Sequence, residues 1–295
     1  MEETQPLNDL KTLNILFIGD LVGQPGKYIL SQKLKELRDR LKTDFVIANG
    51  ENLAGGRGIT PNLAAKVFSF GVNAMTSGNH IWKNREVFKM IESEQRLIRP
   101  LNYPQGVPGR GWNIFKVPAG PGNAATGNAG TDVCVINLMG RLNLLELDCP
   151  FQTMDRLLKN EPAVRDAKIR IVDFHAETTS EKIAMGWFLD GRVTAVIGTH
   201  THVTTADEAV LPGGTGYITD AGMTGPHDSV LGVDKAIIIK NFVTRMPDSF
   251  RVADKDLRLN GVLLKIDPAT GRCLSIERVR EEVSGYAPAD DQGPA

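Results

Sequence analysis

Histidine is scarce in this chain, five in 295 residues, yet four of the five stand where an apolar, strand-like run gives way to a loop. Asp20 follows ILFIG, Glu51-Asn52 follows FVIANG, Asn79-His80 follows NAMTSG, His175 follows IRIVDF, and His200-Thr201-His202 follows AVIGT. Carboxylate, carboxamide and imidazole form the donor set of a transition-metal site. No cysteine lies in these segments, which favours Fe, Mn or Zn over a structural thiolate centre. Two carboxylates, two amides and three or four imidazoles exceed what a single four- to six-coordinate ion can use. Two ions are the economical count, with at least one carboxylate bridging them. Such a pair can activate a water and clamp the oxygens of a phosphoryl group.

Each piece alone is ordinary. An HxH pair is more often solvated than ligating, and Asp20 after Gly19 could be a turn or N-cap residue. The loop Gly50–Gly58 (GENLAGGRG) has neither the Walker lysine nor the spacing of a nucleotide cradle. The argument rests on five strand ends together, because in open α/β sheets the crevice beyond the carboxyl ends of the strands is where ligands bind. Glycines 19, 50, 78 and 198 flank these positions and allow the chain to turn closely around an ion.

The elements that must position these residues follow from periodicity. Short runs rich in Ile, Val and Phe alternate with helical periods, as in a layered α/β fold. Asn14–Gly19 reads as a strand and Gly26–Lys42 as a helix, with Leu30, Leu34, Leu37 and Leu41 on one face. Asp44–Asn49 is the second strand, Thr60-Pro61 opens a helix that runs to Gly71, and Val72–Thr76 is the next strand. Further strands are expected near Trp112–Val117, Asp132–Leu138, Ile169–Phe174, Val193–Ile197 and Gly216–Thr219. Thr178-x-x-Glu181 has the form of a capping box for a helix Glu181–Leu189. Gly261–Ile266 and Cys273–Val279 alternate like a hairpin. Pro118–Thr131 reads as a flexible surface loop. One domain is expected over residues 1–282, with a disordered tail over 283–295.

Composition removes several classes. With 34 Lys+Arg against 35 Asp+Glu and 41% hydrophobic residues, the chain is neither disordered nor collagenous. It also lacks the basic footprint of a nucleic-acid binder. No stretch approaches the roughly 18 apolar residues of a membrane helix. The amino terminus carries Glu2 and Glu3, and its first apolar run suits a strand better than a signal peptide, so a cytoplasmic location is expected. Cys134, Cys149 and Cys273 are odd in number and far apart, as reduced core residues would be.

The blocks GDLVGQPG (19–26), NGEN (49–52), SGNH (77–80), RPLNYP (99–104), INLMGR (136–141), DFHAETTSEK (173–182), GTHTHVTTAD (198–207) and DAGMTGPHDSVLG (220–232) resemble the YmdB-like branch of the calcineurin-like metallophosphoesterases. They run through nearly the whole chain. The resemblance implies an α/β fold, a metallophosphoesterase-type four-layer sandwich of mixed β-sheets flanked by helices. It also implies hydrolysis of phosphodiesters, small 2′,3′-cyclic nucleotides in particular. Carried over by motif, one ion falls to Asp20, Glu51, Asn52 and His202 and the other to Glu51, Asn79, His175 and His200, with His80 as proton donor to the leaving oxygen. The ions would be divalent or mixed-valence, Fe or Mn first and Zn as the alternative.

Other residues keep two readings. Asp173 shares a strand face with His175 and could hydrogen-bond it, while His227, Arg57, Arg141 and Trp82 are candidates for substrate contact or plain surface and core residues. A binuclear amidohydrolase is the rival enzyme, although its HxH usually comes on the first strand and here it comes late. A regulatory, RNA-associated binding protein with a vestigial metal site is the rival outside catalysis. The sequence leaves a homo-oligomer open.

Overall fold

The computed structural model describes residues 12–118 and 130–287. The chain opens with β1 (Leu13–Ile18), β2 (Asp20–Leu21), α1 (Gly23–Leu41), β3 (Phe45–Asn49), α2 (Pro61–Ser69), β4 (Ala74–Thr76) and α3 (Val87–Met90). It continues through β5 (Trp112–Val117), β6 (Thr131–Met139), α4 (Pro150–Asn160), α5 (Pro162–Asp166), β7 (Ile169–His175), α6 (Thr179–Leu189) and β8 (Ala195–Thr199). The last part holds β9 (Ala209–Val210), β10 (Gly216–Ile218), β11 (Met223–Pro226), α7 (Lys235–Thr244), β12 (Leu257–Ile266) and β13 (Cys273–Val283).

Two mixed sheets result. One has the order β2-β11-β12-β1-β3-β4 with β13 also paired to β12, and the other has the order β5-β6-β7-β8-β10-β9. Strands β1, β3 and β4 run parallel, as do β6, β7, β8 and β10. These strands are buried on both faces, which is why they read as continuous apolar runs rather than alternating ones. Ile15, Phe17, Phe45 and Ile47 point inward and meet Val135, Ile171 and Ile197 of the second sheet. Their neighbours Leu16, Ile18, Val46 and Ala48 point outward onto Leu30, Leu34 and Leu37 of α1 and Val67 of α2. On the far side Ile136, Val172 and Phe174 receive Met154 of α4 and Met185 and Leu189 of α6. Helix, sheet, sheet and helix thus form four layers around three apolar seams. None of the helices among the described residues is long and apolar enough to cross a membrane.

Several boundaries differ from expectation for local reasons. Helix α1 starts at Gly23 rather than Gly26, because Pro25 sits in the first turn, where a missing N–H costs nothing. Thr60 caps α2 as expected, accepting from Leu63 N at 3.3 Å. Thr178 Oγ1 likewise accepts from Glu181 N, at 3.4 Å, but the reciprocal half of a capping box is not made. The Glu181 carboxylate accepts instead from Arg141 N at 3.0 Å and Leu142 N at 3.3 Å, tying α6 to the loop after β6. The final hairpin is longer than expected at both strands. Strand β13 passes the expected boundary at 282, and the Tyr286 ring lies 4.9 Å from that of Tyr28. Residues 288–295 of the expected tail, and 119–129 of the expected Pro118–Thr131 loop, lie outside the described residues. Cys134 and Cys273 are buried, whereas Cys149 is half-exposed at the start of α4, and all three are free.

Candidate metal centre

The ends of β1, β3 and β4 from one sheet and of β7 and β8 from the other meet at a single rim, and all seven expected ligands lie there. His175 Nε2 is 3.0 Å from Asn79 Oδ1, 3.0 Å from His200 Nδ1 and 3.2 Å from Glu51 Oε1. Beside this group, His202 Nε2 lies 3.1 Å from Asn52 Nδ2 and 4.0 Å from Asp20 Oδ1, and Asn52 Nδ2 is 3.3 Å from Glu51 Oε1. Glu51 therefore touches both groups. His80 stands next to it, with its backbone N–H on Glu51 Oε2 at 3.1 Å and its Nδ1 2.9 Å from Asn52 Oδ1. Gly78 is the cradle: a Cβ there would sit 2.3 Å from His175 Nε2 and 2.4 Å from Glu51 Oε2.

The residues fit a cation on three grounds. Asp20 Oδ1 is buried without a hydrogen-bond partner, an expensive state for a carboxylate oxygen unless a cation faces it. Each imidazole has its outer nitrogen occupied by an acceptor: His175 Nδ1 by Thr199 Oγ1 (3.0 Å), His200 Nε2 by Glu177 Oε2 (2.9 Å) and His202 Nδ1 by the Leu231 carbonyl (3.0 Å). That pattern fixes the tautomer and leaves the inner nitrogen as a lone pair for a metal. Third, Glu51, His175 and His200 offer ligand atoms within 4.8 Å of one another.

Electrostatics show what replaces an ion in the metal-free chain. Burial pushes Glu51 up, but the charge and hydrogen bond of His175, together with His80, outweigh it and hold the carboxylate at about 2. Burial pushes His175 down, and Glu51, Asp20 and Asp173 outweigh it, raising the imidazole to about 9. Burial and the charge on His175 press His200 down to about 3. Burial raises Asp20 against the pull of His202 and His175. A proton on His175, facing Glu51 and Asn79, thus offsets the Glu51 charge, and an entering cation must displace it.

A family model described as YmdB-like protein matches residues 16–279. The chain belongs to the YmdB-like family. It is 45% identical over 267 residues to the 2′,3′-cyclic-nucleotide 2′-phosphodiesterase of Bacillus subtilis, covering 90% of this chain and 96% of that protein. Among solved structures, a hypothetical protein from Thermus thermophilus is 39% identical with a TM-score of 0.82, covering 92% of this chain and 99% of that one. A phosphatase from Mycoplasma pneumoniae is 32% identical with a TM-score of 0.84, covering 92% and 94%.

In this YmdB-like chain the remaining candidates sort by their contacts. Asp173 does not bond His175 directly. It accepts from Thr199 Oγ1 at 2.7 Å, from Thr76 Oγ1 and from Asn49 Nδ2 at 3.0 Å, and Thr199 carries the link to the imidazole. Burial raises Asp173 to about 7. His227 donates from Nδ1 to the Gly225 carbonyl (3.1 Å) and accepts at Nε2 from Asn260 (3.0 Å), so both its nitrogens are engaged. It lines, with His202, Arg258 and Arg278, a groove of about 740 Å³ that starts at the metal centre. Arg57 lies over the Phe250 ring at 5.0 Å. Arg141 borders a second cavity, of about 640 Å³, with Glu181. Trp82 stacks on Phe88 at 5.1 Å and packs, half-buried, against the core.

Residues absent from the sequence reading complete the YmdB-like centre: Thr199, Glu177 and Leu231 on the imidazoles, and a buried Lys182–Asp220 pair at 2.5 Å. Asp220 Oδ2 also accepts from Thr201 N (3.1 Å) and Thr201 Oγ1 (2.8 Å), gripping the residue between His200 and His202. Both histidines have positive φ, 100° and 66°, so the turn needs such an anchor.

Proposed function

We propose that the chain is a metal-dependent phosphodiesterase that opens 2′,3′-cyclic nucleotides at a two-ion centre. The observation that carries the reading is the convergence of His175 and His200 on Glu51, with His202 beside Asn52 and the unpartnered Asp20 Oδ1. Asp20, Glu51, Asn52 and His202 would hold one ion, and Glu51, Asn79, His175 and His200 the other. Bound there, the ions would activate a water and neutralise charge growing on the phosphoryl oxygens. The oxygen and nitrogen donors suit Fe or Mn, with Zn as the alternative. The name of the Bacillus subtilis relative supports cyclic nucleotides as the substrate class and O2′ as the side of the ester that breaks. The unpaired cysteines agree with a reducing compartment such as the cytoplasm.

The chain's own residues then have separate tasks. A metal on Asn52 requires Oδ1, not Nδ2, on the His202 side. Exchanging the two amide atoms would turn that oxygen toward His202. Proton donation to the ribose oxygen as it departs needs the imidazolium of His80, which returns to the neutral ring. Burial, against the pull of Glu51, keeps His80 below its usual value, so the donating imidazolium is the minor form near pH 7 and a correspondingly more acidic donor. The groove from His202 past His227 offers room for the nucleoside. Among the described residues no serine or cysteine stands beside a base at the centre, so in this reading water attacks phosphorus without a covalent intermediate.

The test is a panel of phosphomonoesters, linear diesters and 2′,3′-cyclic nucleotides with metal-loaded protein. Cyclic nucleotides should be turned over fastest, and chelation should stop the reaction reversibly. Absence of turnover on every diester by fully loaded protein would overturn the proposal.

A further inference from the structure

The groove that leaves the metal centre at His202 changes character along its walls. Beside His202 it is apolar, with the exposed side chains of Val203 and Leu231 and with Met223, whose backbone N–H donates to the His202 carbonyl at 3.3 Å. Another part of the wall is polar. There Glu208, on the loop after β8, meets Arg278 of β13, and Arg278 Nε donates to Glu208 Oε1 at 2.7 Å.

Glu208 Oε2 is buried and has no hydrogen-bond partner. A carboxylate oxygen in that state is missing a donor or a cation. Among the described residues no group of ligand-type side chains gathers on Glu208 as one does on Glu51, so the missing partner is a donor. A small turn about the soft terminal torsion of Glu brings Oε2 to a donor in the groove. Charge narrows that donor's source further. The other two arginines of the groove are paired as well, Arg258 with Asp256 and Arg280 with Glu282 at 2.6 Å. With every guanidinium matched by a carboxylate, the wall suits an uncharged ring with its own N–H groups better than a second phosphate.

We propose that the Glu208–Arg278 pair reads guanine and makes guanosine 2′,3′-cyclic phosphate the preferred substrate. The proposal rests on the cyclic-nucleotide reading of the metal centre. Along its pairing edge guanine presents O6, N1–H and the N2 amino group, an acceptor followed by two adjacent donors. The pair offers the complement in the same order. A terminal amino group of Arg278 donates to O6, Oε1 accepts from N1–H with the lone pair that Arg278 Nε leaves free, and Oε2 accepts from N2. Adenine and cytosine set a ring lone pair beside a single amino group, and uracil sets its one N–H between two carbonyls. Each of these turns an acceptor toward the carboxylate, which a site built around buried acceptors rejects.

The experiment uses the metal-loaded full chain. Calorimetry measures binding of the 3′-monophosphates of guanosine, inosine and adenosine, and kcat/KM is then compared on the matching 2′,3′-cyclic nucleotides. Guanosine should bind about 10–100-fold more tightly than adenosine, the scale of hydrogen bonds to a charged acceptor. Inosine keeps N1–H, lacks the N2 amino group and should fall between them. Glu208→Gln and Glu208→Ala should each shrink the guanosine-to-adenosine ratio by about tenfold or more and narrow the gap between guanosine and inosine. Circular dichroism and metal content check that both variants are folded and loaded. A purely structural ion pair would instead weaken all three nucleotides alike. Equal affinity of the wild type for guanosine and adenosine, or ratios unchanged in both variants, would overturn the proposal. Binding is read without turnover, so a chain that selects guanosine but hydrolyses no cyclic nucleotide would retain the guanine site and refute the phosphodiesterase reading instead.

Discussion

Replacing Lys182 with methionine keeps the side-chain length and removes its charge from a site where Lys182 and Asp220 are 1% and 0% exposed. The stranded carboxylate keeps three neutral donors, Thr201 N, Thr201 Oγ1 and Gly222 N at 3.1, 2.8 and 2.8 Å. Breaking a buried ion pair by deleting one partner costs about 3–5 kcal/mol, and the three surviving bonds place this case near about 3 kcal/mol. For a chain of this size that is a fall of roughly 6–12 °C in Tm. The loss reaches the metal centre because Asp220 grips Thr201 between His200 and His202, whose positive φ values favour relaxation once the grip loosens. Denaturant unfolding and elemental analysis of Lys182→Met, Asp220→Asn and the double variant form a cycle. Lys182→Met should lose about 3 kcal/mol and part of its metal, and the double variant should be at least about 1 kcal/mol more stable than the sum of the singles implies. A Lys182→Met protein with wild-type stability and full metal content would refute the anchoring argument.

His80→Ala should retain its metals and much of its activity on a nitrophenyl phosphodiester, whose leaving group needs no proton, while losing about 10²–10⁴-fold on a cyclic nucleotide; equal losses on both would mean that His80 does not donate. The metal-free chain should show opposed pH slopes. His175 is raised from 6.5 to about 9, so its pairing with Glu51 stabilises fully below pH 6.5 and is lost as pH rises through 9, while metal affinity, freed from the same proton, rises by up to about tenfold per pH unit over that interval. Calorimetric titration in buffers of different ionisation enthalpy checks it, and metal binding without proton release would contradict it. Gly78→Ala should abolish metal retention and cost about 1–3 kcal/mol, since its Cβ would collide with His175 and Glu51; an unchanged metal content would show that the centre is looser than the distances imply.

The β1–α1–β3–α2–β4 half was legible because strands buried on both faces print unbroken apolar runs between helices with caps of their own, as at Thr60. Helix α7 was not, because none of its residues is buried and its apolar side chains answer no core of this chain. Strands β2, β9 and β11, of two to four residues, are too short for a period of two to show. At the centre, the ligand types stood out beside strand-end glycines. Their supports did not: Thr199 reads as an ordinary strand residue and becomes the link to Asp173 only because it sits opposite His175 on the neighbouring strand. Lys182 and Asp220 are 38 residues apart with nothing local to join them.

The central claim is tested most directly by stripping the protein of metal, adding Mn²⁺ or Fe²⁺ back in steps, and following bound metal and 2′,3′-cyclic AMP hydrolysis together. The account predicts no turnover in the stripped protein and activity that reaches its plateau at about two ions per chain. Turnover without metal, or a plateau at about one ion per chain, would contradict it.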